Sequence, residues 1–154
     1  MALGEDGPGA ALPLGDVLDF MRLIWAVDRS LQLASRRMEA TLGVSGPERL
    51  VVRIVGTFPG IAAGRIAEIL QVHPSTLTGI LKTLGASGLL QRKADAQDGR
   101  RALFSLSAKG RKLDAVRRGT IEAAVRRLLA RGPEKLRAAQ ETLAALAQEL
   151  DGEV

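Results

Sequence analysis

Two short apolar-striped segments stand almost end to end, and the tight link between them leaves the chain few ways to fold. In residues 62–70, Ile66, Ile69 and Leu70 recur at helical spacing and are expected to turn inward. In 74–85, Leu77, Ile80, Leu81 and Leu84 do the same. Gln71-Val72-His73 allows only a sharp corner, and Pro74 suits the first turn of the second helix, where a missing N–H costs nothing. Many helical cores contain such a corner. The next segment of the chain narrows the choice. After Gly88 come two strand-like runs, Leu89 to Lys93 and about Arg101 to Leu106, the second with Ala102, Phe104 and Leu106 alternating with Leu103 and Ser105. The polar loop between them, 94–99, ends in Gly99.

The flanks read as helices. From Leu14, the positions Val17, Leu18, Met21, Ile24, Trp25 and Leu31 follow helical spacing to about Leu42, with Gly43 as the stop. Ser45-Gly46-Pro47-Glu48 is a capping box opening a helix that carries Leu50, Val51, Ile54 and Val55. Phe58-Pro59-Gly60 breaks it. Ser107 is expected to cap a long basic helix reaching about Arg131, stopped by Gly132-Pro133. A last helix carries Leu136, Ala139, Leu143, Leu146 and Leu150, a coiled-coil-like seam. Only 3% of the 154 residues are aromatic, so the core is aliphatic and helical packing is favoured over a β-sandwich. The Gly/Ala/Pro-rich residues 1–12 are expected to be disordered.

Charge points to the partner. The net charge is +5, but residues 92–131 hold 12 Lys/Arg against 4 Asp/Glu, so the remainder of the chain is net negative. A concentrated basic segment suits a polyanion, although a solvated helix face and a general preference for arginine over lysine would also produce it. On the second short helix, Ser75, Thr76, Thr78 and Lys82 face away from the apolar stripe and suit phosphates or base edges in a major groove. Ser75 has an alternative role as a local cap. Arg92, Lys93, Arg100 and Arg101 flank the hairpin and suit an adjacent minor groove. Asp95, Asp98 and Gly99 support the hairpin loop: Asp98 is expected to hold an arginine guanidinium by paired hydrogen bonds, both acids suit ordinary turn chemistry, and the two roles are compatible.

Other chemistry is poorly supplied. There is no cysteine and one histidine, His73, so disulfides, thiolate sites and histidine-rich metal sites are excluded, and no metal or cofactor is expected. No nucleophile–base arrangement or glycine-rich phosphate loop is present, so an enzyme is not expected. No run approaches a membrane span of about 20 apolar residues. The opening Met-Ala-Leu-Gly-Glu-Asp has acids where a signal peptide has bases, and a cytoplasmic protein is expected.

In chain order, Ile66-Ala67-Glu68-Ile69-Leu70, Pro74-Ser75-Thr76-Leu77-Thr78, Gly88-Leu89-Leu90, Asp98-Gly99-Arg100-Arg101 and Leu106-Ser107-Ala108-Lys109-Gly110 resemble the MarR (multiple antibiotic resistance regulator) family. The Asp-x-Arg wing with Leu-Ser-x-x-Gly after it carries most of that likeness. The resemblance implies a mainly α fold with a minor β part: a winged helix-turn-helix over 45–110, with helices 14–44 and 111–152 forming a dimerisation region. It implies a homodimeric transcriptional regulator, most often a repressor, on a pseudo-palindromic operator in double-stranded DNA. Arg100 would be the Asp-x-Arg arginine and Asp98 its partner. It also implies release by a small aromatic or phenolic ligand, for which Arg22, Trp25, Met38, Arg49 and Arg53 are the candidates; core or interface roles for Trp25 and Met38 compete with this. The alternative is an effector-independent or architectural DNA-binding protein. Two departures stand out. Gly79 replaces an arginine frequent on the family's recognition helix, and a mid-helix glycine costs about 1 kcal/mol relative to alanine. His73 stands where a serine cap is common.

Overall fold

The computed structural model describes residues 13–152; the 1–12 tail lies outside them. Helix α1 spans Asp16–Leu42. It begins two residues later than Leu14, because Gly15 sits at φ 85, in the left-handed region that a helix cannot include. Gly43 ends it at φ 74, its N–H donating to the Glu39 carbonyl. Helix α2, Gly46–Thr57, opens on the expected capping box: Ser45 Oγ accepts from the Glu48 N–H at 3.3 Å, and Glu48 Oε2 accepts from the Ser45 N–H at 2.8 Å. Its buried face is Val51, Val52, Ile54 and Val55, while Leu50 is exposed, correcting its expected inward place.

A short strand, β1 (Ile61–Ala62), precedes helix α3 (Ala63–Leu70) and was not expected. Two residues carry too little periodicity to show in a sequence; this strand exists because β3 offers it an edge, with Ile61 opposite Phe104. Ile66 and Ala67 are the buried residues of α3, and Ile69 is exposed rather than inward. Gln71 adopts φ 53 to end α3, and the Val72 N–H donates to the Ala67 carbonyl. Helix α4 then runs Pro74–Ala86 with Leu77, Leu81 and Leu84 buried.

The hairpin is β2 (Leu90–Ala94) and β3 (Ala102–Leu106), antiparallel, in a three-stranded sheet ordered β1-β3-β2. One core joins α2, α3, α4 and this sheet through Val51, Val55, Ile66, Leu77, Leu84, Phe104 and their neighbours.

The long basic helix expected from Ser107 to Arg131 is two helices. Helix α5 is Ala108–Asp114 and α6 is Ile121–Arg131, with Gly119 at φ 71 and Thr120 capping α6 between them. Helix α5 packs on α2 and β3. A 3-10 turn, Pro133–Lys135, leads to helix α7, Leu136–Gly152, which buries no residue. Along α1, Val17, Leu18, Phe20, Leu23, Trp25, Val27 and Leu31 are likewise exposed, as is Leu14 before it. Among the described residues no helix is long and apolar enough to cross a membrane.

Candidate nucleic-acid interface

Helix α4 and the hairpin face each other across an open groove of about 760 Å³. Thr78, Lys82, Gly85 and Ala86 form one wall, and Arg92, Arg100 and Arg101 line the other. The floor is apolar, with Leu81, Leu90 and Phe104. Strand register explains the placement of the basic residues. Leu90 and Arg92 oppose Leu106 and Phe104, so Arg92 shares the strand face that builds the core and extends it into the groove. Lys93 points to the other face and does not line the groove. Five of the eight residues selected for DNA contact therefore meet in one place: Thr78, Lys82, Arg92, Arg100 and Arg101. Ser75 and Thr76 are exposed at the start of α4, beyond the groove wall.

The first turn of α4 is set by the histidine. His73 Nδ1 accepts the Ser75 backbone N–H at 3.2 Å, and Ser75 Oγ lies 2.7 Å from the same nitrogen. An imidazole thus takes the capping role of a serine, and the Ser75 hydroxyl is engaged with it.

In the wing loop both acids make turn hydrogen bonds, and Asp98 also pairs loosely with Arg100. Asp98 Oδ1 accepts the Arg100 backbone N–H at 3.1 Å, and Asp95 Oδ1 accepts that of Gln97 at 3.0 Å. The Arg100 guanidinium stands 3.8 Å from Asp98 Oδ1, with its side chain 98% exposed. It is an ion pair without the paired hydrogen bonds, so the arginine is held out and free to reach a phosphate or groove. Gly99 is not in the left-handed region.

Ser107 and Gly110 fasten the wing to the rest of the unit. Ser107 Oγ donates to the Gly88 carbonyl at 2.6 Å and accepts the Gly110 N–H at 3.0 Å. A Cβ at Gly110 would collide with the Leu89 carbonyl, so only glycine allows α5 to pack there.

The five residues offered for an aromatic ligand do not form one site within the chain. Arg22 and Trp25 are exposed on α1, and Met38 is 1% exposed in the core. Arg49, also 1% exposed, is fully engaged: it donates to Glu122 Oε1 at 2.8 and 2.6 Å and to the carbonyls of Leu113 and Val116. Arg53 donates to Asp114 Oδ1 at 2.6 Å. These two arginines hold the α5–α6 break against α2, a role that the sequence did not suggest. Gly119-Thr120 was the available signal, a left-handed stop and then an N-cap. Burial by itself would raise the Glu122 carboxyl. The hydrogen bonds from Arg49, from its own backbone and from Thr120, with the Arg49 charge, outweigh burial and hold it below the ordinary carboxylate value.

The family model that describes the MarR family matches residues 44–102, the span of α2 through the start of β3. Over that span the chain is similar to the MarR family. The chain is also 31% identical over 90 residues to the HTH-type transcriptional repressor Rv2887 of Mycobacterium tuberculosis and to Mb2911 of Mycobacterium bovis. That alignment covers 58% of this chain and 65% of each relative, so the chain spans just under two thirds of the curated relatives it matches. Among solved structures, a Staphylococcus aureus MepR–DNA complex superposes with a TM-score of 0.70 at 18% identity, over 84% of this chain and 97% of that one. The PcaV regulator of Streptomyces coelicolor, in complex with its natural ligand, gives 0.68 at 19% identity, over 92% and 98%. These likenesses extend the MarR-type fold, a mostly helical winged helix-turn-helix with flanking helices, over most of the chain.

Proposed function

We propose that this chain is a DNA-binding transcriptional regulator of the MarR type, a repressor that works as a homodimer on a pseudo-palindromic operator in double-stranded DNA. The observation that carries this reading is the groove between α4 and the wing, with Lys82, Arg92, Arg100 and Arg101 converging on it and, among the described residues, no acid lining it. Ser75, Thr76, Thr78 and Lys82 meet the major groove, Arg100 and Arg101 reach the neighbouring minor groove, and Arg92 and Lys93 meet phosphates. Asp95, Asp98 and Gly99 shape the loop that presents Arg100. The name "repressor" on the mycobacterial relatives supports the direction of regulation.

Dimerisation is supported by the unpartnered apolar faces of α1 and α7, where Leu143 and Leu150 are exposed at seven-residue spacing. The winged unit is assigned to 45–110 together with the rest of α5, and the dimerisation region to 14–44 and the chain from α6 onward.

Binding is tested by fluorescence anisotropy on sites selected from a random DNA pool. Arg100→Ala is expected to cost about 1–3 kcal/mol of affinity while leaving the melting temperature unchanged, because the side chain is exposed. Absence of DNA binding by the unsubstituted chain sinks the reading.

Release by an aromatic or phenolic ligand draws its support from the ligand-bound PcaV neighbour and from Arg22 and Trp25, exposed on α1 where a second copy would close over them. Effector-independent binding is the second reading. It is favoured by the commitment of Arg49 and Arg53 to internal ion pairs. A thermal-shift screen with phenolic acids separates the two: no stabilisation, with DNA affinity unmoved, leaves the second.

A further inference from the structure

We propose that Gly79 is the specificity-determining position of the recognition helix: its missing side chain lets the α4 backbone lie against the floor of the major groove, where the helix reads thymine methyl groups rather than guanine edges. This rests on the proposed DNA-binding function.

The folded chain has no need of glycine at this position. Gly79 lies inside α4, is not in the left-handed region, and a Cβ built on it meets nothing within 4 Å. Gly56 and Gly110 differ, since a Cβ there would run into Asp114 and the Leu89 carbonyl. A mid-helix glycine weakens its helix. Gly64 and Gly85 are equally unhindered, so what sets Gly79 apart is its place on the outer face of α4. At about 100° per residue, Ser75, Gly79, Lys82 and Ala86 fall on the line opposite the buried Leu77, Leu81 and Leu84. Gly79 is thus at the crest of the helix, the part that enters a groove deepest.

The side chains around it lack the means to read guanine or adenine by paired hydrogen bonds. Such reading takes Arg or Lys for guanine and Asn or Gln for adenine. Helix α4 has no Arg, Asn or Gln, and Lys82 is its one basic residue. The hydroxyls are largely engaged. Ser75 Oγ is bonded to His73, Thr78 donates to the Pro74 carbonyl at 2.9 Å, and Thr83 donates to the Gly79 carbonyl at 3.1 Å. A threonine bonded back to its own helix offers a base its methyl group and an oxygen lone pair, not a proton. A small, methyl-bearing surface complements the C5 methyl of thymine, which the major groove displays. Arg100 and Arg101, the two wing arginines assigned to the minor groove, agree with this, because A·T-rich sequence has the narrow minor groove that attracts arginine.

The test uses the full chain and a site selected from a random pool. Replacing thymidines by deoxyuridine in the half-site removes only methyl groups. At one or two positions this is expected to weaken binding by the unsubstituted protein about tenfold, the scale of a lost base contact. Gly79→Ala is expected to melt at a higher temperature yet lose about tenfold in affinity for the selected site, more than it loses for random DNA. Gly79→Ala affinity at or above that of the unsubstituted chain overturns the proposal, as does indifference of the site to every uracil. Failure of the unsubstituted chain to bind any DNA fells the DNA-binding reading itself, and this inference with it.

Discussion

Arg49 illustrates how one buried side chain can organise a junction. Its guanidinium closes the end of α5 by taking the Leu113 and Val116 carbonyls, and it fixes the start of α6 through Glu122. Removing it takes the cationic partner from a part-buried carboxylate and one donor from each of the Leu113 and Val116 carbonyls. Arg49→Met is therefore expected to destabilise the fold by about 3 kcal/mol or more, read from urea denaturation. The carboxylate end of the pair gives a pH dependence. Glu122 is held below its ordinary value in the folded chain, so its contribution is complete above the unfolded carboxylate pKa and is lost as pH falls through the folded one. Glu122→Gln should be less stable than the unsubstituted chain at pH 7. The gap should narrow once the pH drops below the ordinary carboxylate range. A gap that stays constant in denaturation at the two pH values would show that the charge is not what matters.

Among the elements, the wing owes its position to the turn into α5. Ser107 bonds both the Gly88 carbonyl behind it and the Gly110 N–H ahead, and Gly110 admits the Leu89 carbonyl. The Leu-Ser-x-x-Gly pattern is thus a packing rule: a cap that also ties two strands' ends, and a glycine where no side chain fits. Ser107→Ala should cost about 1–2 kcal/mol. Gly110→Ala should cost about 1–3 kcal/mol, despite alanine's better helix propensity. Differential scanning calorimetry reads both, and a neutral Gly110→Ala would contradict the close approach. Helix α4 shows the opposite relation between glycine and packing, since Gly79 answers to no neighbour in the chain.

For the whole molecule, the terminal helices are the conspicuous feature. The single tryptophan, Trp25, is 63% exposed on α1, amid a run of exposed apolar side chains. A second copy that covers α1 and α7 would bury the indole. Trp25 emission should therefore be blue-shifted at micromolar protein and move to the red on dilution, in step with dimer dissociation measured by sedimentation. Emission typical of a solvated indole at all concentrations would argue for a different interface.

Much of this molecule could be read from its sequence, because the signals are local. Hydrophobic period, the Ser45–Glu48 box, Pro74 at a helix start and Gly43 at a helix end act within a turn of themselves, and they place α1 to α4, β2 and β3 to within a few residues. The wing acids were legible as turn formers for the same reason. What tertiary structure decided was everything that depends on a distant partner. Strand β1 exists only because β3 pairs with it. Leu50 and Ile69 are exposed because Val52 and Ala67 take the core-facing places in α2 and α3. Arg49 and Arg53, offered by the sequence as ligand candidates, are brought by folding to Glu122 and Asp114, 73 and 61 residues away. Long-range pairing of this kind leaves no period in a sequence. The convergence of Lys82, Arg92, Arg100 and Arg101 on one groove likewise arises only when α4 and the hairpin are packed on the same core.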